Sequence, residues 1–309
     1  MTDTTETISD KFNRDLIAQD ITLAILNAEP PTELFHYTNP AALVSIAQTH
    51  ELWASRVGYL NDASEHTIAY STISDVIKEE LARNRDDSDV KYLEELADMA
   101  RACSSGGFTF VVSFSEVGDL LSHWRAYVPQ GGYSLGFDTA KLKSVVEPQG
   151  WSLLRCVYDA DEQRALTRLV VARLLHWYRV HVDVQDSSHD DLVSWGRANI
   201  GLWMWAVSST FKHASYAEER EWRLVNFSLN NAMTTRPRLC QKFRAGKGII
   251  IPYVTVNVAA PDGGICVSLI IVSPGPYQEL AGQSACDLLL NLSGGPIETR
   301  YAKAPHRSL

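Results

Sequence analysis

Two glutamates one residue apart, Glu219 and Glu221 in YAEEREWRLV (216–225), have the spacing in this chain that most directly suggests chemistry. In a strand, side chains alternate between faces, so Glu219, Glu221 and Arg223 share one face while Arg220, Trp222 and Leu224 share the other. That spacing holds two carboxylates about 6.5–7 Å apart beside an arginine. Such a pair can divide roles, one staying ionised while the other orients a group or takes a proton. The same residues also fit a charged strand start, or a helix end with Glu219 and Arg223 paired one turn apart.

Other candidates are single residues on short elements. His36 and Tyr37 stand in LFHYT (34–38), where a histidine can serve a site or simply meet a backbone carbonyl. Ser113 and Ser115 alternate in SFSE and line either a cleft or the polar face of a strand. Asn61 and Asp62 in YLNDASE fit a turn with a helix cap, which their local hydrogen bonding favours. His123 and Tyr127 in HWRAY share a helix face, a spacing more common in cores than in binding sites. His181, His189, Asp190 and Asp191 follow no recognised ligand spacing, so no metal is expected. Phosphate-loop, zinc-protease and serine-elbow signatures are absent from the sequence.

The elements that must position these residues read as follows. A polar start leads into an amphipathic helix through DLIAQDITLAILNA, within a lead-in over 1–31. LFHYT is a short strand. NPAALVSIAQTHE is a helix with Asn39 as cap and Pro40 in its first position. LWAS (52–55) is a strand, and residues 64–102 are helical with a charged break at RNRDDSD. FTFVVSFSE has buried-strand composition, DLLSHWRAYV is a helix closed by Pro-Gln-Gly-Gly, and YSLGFD and WSLLRCVYD are strands. Helices over 161–183 and 187–215 precede the strands EWRLVNF, KGIIIPYV and VSLIIVSP. The irregular alternation indicates an α+β fold with a mixed or antiparallel sheet, in one domain over 1–309.

Bulk properties narrow the classes. The 309 residues carry 28 Lys and Arg against 37 Asp and Glu, a net charge of −9. That balance argues against a broad nucleic-acid or anionic-membrane surface. Five scattered cysteines form no C-x-x-C pair and read as reduced thiols. The N-terminus has no signal-peptide core and no apolar run is long enough to span a membrane, so a cytoplasmic location is expected.

The order of these pieces adds what none carries alone. LFHYTNPAALVSIAQTHELWASRVGYLNDASE, then VVSFSE, LLSHWRAY, GGYSLGFD and FKHASYAEEREWRLV, resembles the bacterial domain of unknown function 2971 family across roughly residues 34–275. That family is similar to the ADP-ribosyltransferase superfamily. The resemblance implies a split, mostly antiparallel α+β sheet with helical insertions, and residues 276–309 as an extension. It also implies NAD as substrate in a cleft, without a metal.

By the same resemblance, His36 binds the adenosine-side ribose and Thr38 lies near the nicotinamide amide. Glu221 binds the nicotinamide-ribose 2′-hydroxyl and stabilises an oxocarbenium-like transition state, while Glu219 orients the acceptor. Tyr37, Trp53 and Tyr59 are the candidates to stack on nicotinamide, and Asn61, Ser113 and Ser115 complete the NAD-binding set. The chain departs from the superfamily pattern in having no Ser-Thr-Ser motif, for which VVSFSE is the available stand-in. The implied activity is mono-ADP-ribosyl transfer to a protein or nucleic-acid acceptor, by a toxin or an anti-phage effector. NAD hydrolysis, or a non-catalytic recognition module, are the alternatives.

Overall fold

A computed structural model describes residues 28–60, 65–103, 109–182, 188–226, 240–246, 248–261, 263–292 and 297–303. The expected helix through DLIAQDITLAILNA, and Asn61 and Asp62, lie outside them. The chain forms two compact units.

The first unit is helical and is built where the chain twice leaves the sheet described below. Its helices are α2 (Glu65–Arg83), α3 (Asp87–Cys103), α6 (Ala160–His181) and α7 (His189–Ser208). Tyr92 and Tyr178 stack with ring centres 4.2 Å apart, and Trp177 and Trp195 stack at 3.6 Å. Asp89 is buried and receives the guanidinium of Arg179. Asp190 and Asp191 sit in the first turn of α7, after the Ser188 cap, where the helix dipole favours acids. His181 Nδ1 meets the Trp177 carbonyl and His189 Nδ1 meets the Tyr178 hydroxyl. Each has an ordinary local partner.

The second unit holds the ten described strands in one mixed, mostly antiparallel sheet. These are β1 (Glu33–Thr38), β2 (Glu51–Arg56), β3 (Phe110–Ser115), β4 (Tyr133–Asp138), β5 (Ser152–Arg155), β6 (Glu221–Asn226), β7 (Lys242–Ala245), β8 (Ile250–Asn257), β9 (Val267–Val272) and β10 (Glu298–Tyr301). Only β9 and β10 run parallel among the described pairs. Helices α1 (Pro40–Thr49), α4 (Leu121–Tyr127), α5 (Thr139–Val146) and α8 (Gln278–Leu292) belong to the same unit.

The sheet divides at β3. Strand β6 pairs along all of β3, from Phe110 with Asn226 to Ser115 with Glu221. The other side of β3 is shared. β1 meets it at Phe35 and Ser115, and β2 meets it at Ser55 with Val111 and Arg56 with Phe110. Between those contacts the two neighbours part, leaving the middle of β3 without a strand on that side.

Local chemistry fixes the pieces around this split. Asn39 caps α1 by accepting from the Ala42 amide, and Pro40 occupies the first turn, where a missing N–H costs nothing. Phe35, Trp124, Val128, Leu269 and Ile271 form a buried cluster that seats α4 against β1 and β9. Each such fully buried side chain contributes about 1.5–3 kcal/mol. After α4, Gly131 takes φ +94° and donates to the Val128 carbonyl at 2.9 Å, a turn that favours glycine. No described helix is long and apolar enough to cross a membrane.

Candidate active site

β6 is shorter than the glutamate spacing implied. It begins at Glu221, and Glu219 ends a 3₁₀ turn over Ala214–Glu219. The two glutamates therefore do not share a strand, which decides among the readings the sequence left open, and β6 begins where EWRLVNF was expected to. Arg220 takes φ +43°, which breaks the extended run. That conformation is uncommon for a residue with a side chain and costs on the order of 1 kcal/mol or more. Two hydrogen bonds hold it: Arg220 N–H to the Ala217 carbonyl at 3.3 Å, and Glu116 N–H to the Arg220 carbonyl at 3.1 Å. The turn still delivers Glu219 to the same cleft as Glu221.

That cleft is lined by Phe35, His36, Tyr37, Ser113, Phe114, Ser115, His123, Tyr127, Glu219 and Glu221. Its volume is about 120 Å³, below the roughly 150 Å³ cavity that holds a benzene ring. Only part of a dinucleotide fits in that volume, and the rest must extend beyond it.

His36 sits at the split. Its Nδ1 lies 2.9 Å from the Ser113 carbonyl, so the ring meets the strand edge that β1 and β2 leave open. A carbonyl only accepts, so Nδ1 carries the proton and Nε2 is the acceptor of the neutral ring. Burial lowers the pKa of His36 from its usual value, opposed in part by that hydrogen bond. The unfolded chain then takes up a proton near pH 6.5 that the folded chain resists. The resulting stability is full above about pH 6.5 and is lost as pH falls toward the folded-state value. Urea midpoints at about pH 7.5 and 5.5 should fall with acid in the wild type, and fall less in His36→Gln. Equal acid sensitivity in both would contradict this assignment.

Glu221 is buried and gripped by a buried arginine. Arg223 donates from Nε to Oε1 at 2.7 Å and from Nη2 to Oε2 at 3.0 Å. Cys156 adds its thiol at 3.7 Å from Oε2, and its N–H donates to the Glu221 carbonyl at 2.8 Å. A carboxylate accepting through both oxygens is the ionised form. The pairing orients the carboxylate and offsets part of its field.

Other side chains in the cleft organise it. Ser115 Oγ donates to the Glu219 carbonyl at 2.7 Å and accepts from Val117 N–H at 3.0 Å, so it holds the turn that presents Glu219. Ser113 faces the cleft across from Arg223. Tyr37 donates to the Val117 carbonyl and accepts from Leu120 N–H, both at 2.9 Å. Burial pushes its phenol well above the usual range. The exposed Tyr127 hydroxyl lies 3.3 Å from Glu219 Oε1, at the rim. His123 packs edge-on against Tyr37 at 4.7 Å and against Tyr127 at 5.2 Å.

Of the residues singled out from sequence, His36, Tyr37, Ser113, Ser115, Glu219 and Glu221 come together. Thr38, Trp53 and Tyr59 do not line this cleft. Thr38 is buried with its backbone paired to Tyr133, Trp53 packs at a tilt against Tyr253, and Tyr59 ends a 3₁₀ turn. His123 and Tyr127 are the additions, and their shared helix face was the available signal. Among the described residues no cluster of three His, Cys, Asp or Glu side chains is placed to hold a metal.

Comparison with known proteins adds one match. Residues 123–224 match the family described as Protein of unknown function (DUF2971). The matched segment is roughly a third of the chain. It starts at His123 and ends at Leu224, so it holds Tyr127, both glutamates and Arg223, with β1 and His36 outside it. No curated protein and no solved structure matches the chain.

Proposed function

We propose that the protein is an NAD-dependent mono-ADP-ribosyltransferase, acting at the cleft between His36 and Glu221. One observation carries the reading: a histidine from β1 and a glutamate from β6, 185 positions apart in sequence, line one cleft at the split of the sheet. Strain at Arg220, beside both glutamates, adds support, since such backbone cost gathers at functional sites.

The chemistry needed is heterolysis of the bond between ribose C1′ and the pyridinium nitrogen. Both electrons leave on nicotinamide, and positive charge builds on the sugar. Glu221, held ionised by Arg223, stabilises that charge electrostatically. His36 Nε2 accepts from a ribose hydroxyl. Glu219 at the rim orients the acceptor nucleophile and receives its proton as the nucleophile adds to C1′. Phe35, Tyr37, His123 and Tyr127 supply aromatic walls around the reacting centre.

Incubating the full chain and a cell extract with NAD labelled in its adenylate phosphate should move label onto a macromolecule. The labelled species identifies the acceptor as protein or nucleic acid, and with it a toxin-like or a defence-like target. Label recovered only as free ADP-ribose replaces transfer by NAD hydrolysis. Intact NAD overturns both and leaves the recognition module.

A further inference from the structure

The sheet carries a second aromatic group that the cleft does not use. Trp53 on β2 is 40% exposed. β2 pairs with β8 so that Ser55 faces Tyr253, and β7 sets Lys242 against the same Tyr253. Directly opposed residues share a face, and alternation adds Trp53 and Arg244 to it. The Trp53 and Tyr253 rings lie 4.7 Å apart at 31°, with the Arg244 guanidinium carbon 5.9 Å from the Trp53 ring centre.

Arg244 is only partly satisfied. Its Nη2 donates to Ser55 Oγ at 2.8 Å, while its buried Nε makes no hydrogen bond. Among the described residues it has no carboxylate partner, whereas neighbouring Lys242 pairs with Glu51 at 3.7 Å.

This group lies on the same sheet face as the cleft. Ser55 is opposite Val111, and alternation along β3 puts Ser113 and Ser115 on the face of Val111. Ser115 is opposite Glu221. The register of β2 and β3, continued two residues from Ser55 and Val111, runs to Trp53 and Ser113, where the strands part.

We propose that Trp53, Tyr253 and Arg244 form a stacking site for the adenine end of a nucleotide. An exposed indole backed by a tyrosine offers a flat apolar face to a base. An arginine with no acid partner among the described residues supplies a cation for a phosphate. The cleft takes only part of a dinucleotide, so one seated there must place its second base outside, and this group lies on that face. The choice of adenine rests on the reading of the cleft as an NAD site. The net charge of −9 favours a small nucleotide over a polynucleotide strand.

Calorimetric titration of the full chain with AMP, ADP-ribose and nicotinamide tests the site. Trp53→Ala should weaken AMP and ADP-ribose by about tenfold or more, the range of losing one base–aromatic stack. Trp53→Phe should restore most of that affinity, Arg244→Gln should weaken both nucleotides, and nicotinamide binding should hold throughout. The site is overturned if wild type binds neither nucleotide, or if Trp53→Ala and Arg244→Gln bind both as wild type does. The two readings fail separately. AMP held through Trp53 by a chain that leaves NAD intact keeps this site and loses the transferase. NAD cleavage with AMP affinity unchanged in Trp53→Ala does the reverse.

Discussion

Replacing Glu221 by Gln should lower nicotinamide release from NAD by about 10²–10³-fold, the scale of removing one preorganised electrostatic group from a reacting centre. The substitution keeps the shape of the side chain and removes only its charge. In the proposed reaction, the positive charge developing on the ribose then loses the carboxylate that stabilises it. Binding of NAD should change far less, because the amide still hydrogen-bonds a ribose hydroxyl. The loss should therefore fall on kcat and kcat/KM together. A variant that cleaves NAD at the wild-type rate would remove Glu221 from the chemistry. Glu219→Gln separates the second glutamate: it should reduce transfer to the acceptor more than it reduces nicotinamide release.

The second large effect is on stability. Arg223→Met should destabilise the folded chain by about 3–5 kcal/mol, because Glu221 is left buried and charged without its cation. Arg223 is 2% exposed and Glu221 6%, so little water reaches either. Glu221→Gln alone should also destabilise, since the guanidinium then loses its counter-charge. The double variant Glu221→Gln/Arg223→Met should recover a large part of the combined loss, as neutral pairs in such sites often do. Chemical denaturation of the four proteins gives the coupling energy. Simple additivity would mean that the bidentate contact contributes little. The cycle also guards the activity measurement, because the double variant should be stable yet inactive.

Much of this arrangement was legible in the sequence where local chemistry decides structure. Asn39 and Pro40 mark the start of α1, LFHYT and LWAS mark β1 and β2, and FVVSFS marks β3. The short edge strands β7 (KFRA) and β10 (ETRY) escaped because charged residues interrupt any apolar alternation. α5 escaped as well, although Asp138 before it is an ordinary cap whose side chain accepts from the Lys141 amide.

The site was legible in its members and less so in its geometry. Alternation placed Glu221 and Arg223 on one face, which their bidentate contact requires. Nothing local foretold the left-handed turn at Arg220, because Ser115 and Glu116, a hundred positions away, hold the residues around it. The aromatics that line the cleft differ from those singled out in the sequence for a related reason. Trp53 and Tyr59 stand close to His36 in sequence, but the parting of β1 and β2 gives the cleft wall to α4, and so to His123 and Tyr127.

Chromatographic measurement of free nicotinamide, after mixing the purified full chain with NAD in the presence and absence of cell extract, tests the central claim most directly. Catalytic release of nicotinamide, in one or both mixtures, is the expected result, and its loss in Glu221→Gln ties it to the cleft. NAD recovered intact from both mixtures would contradict the account.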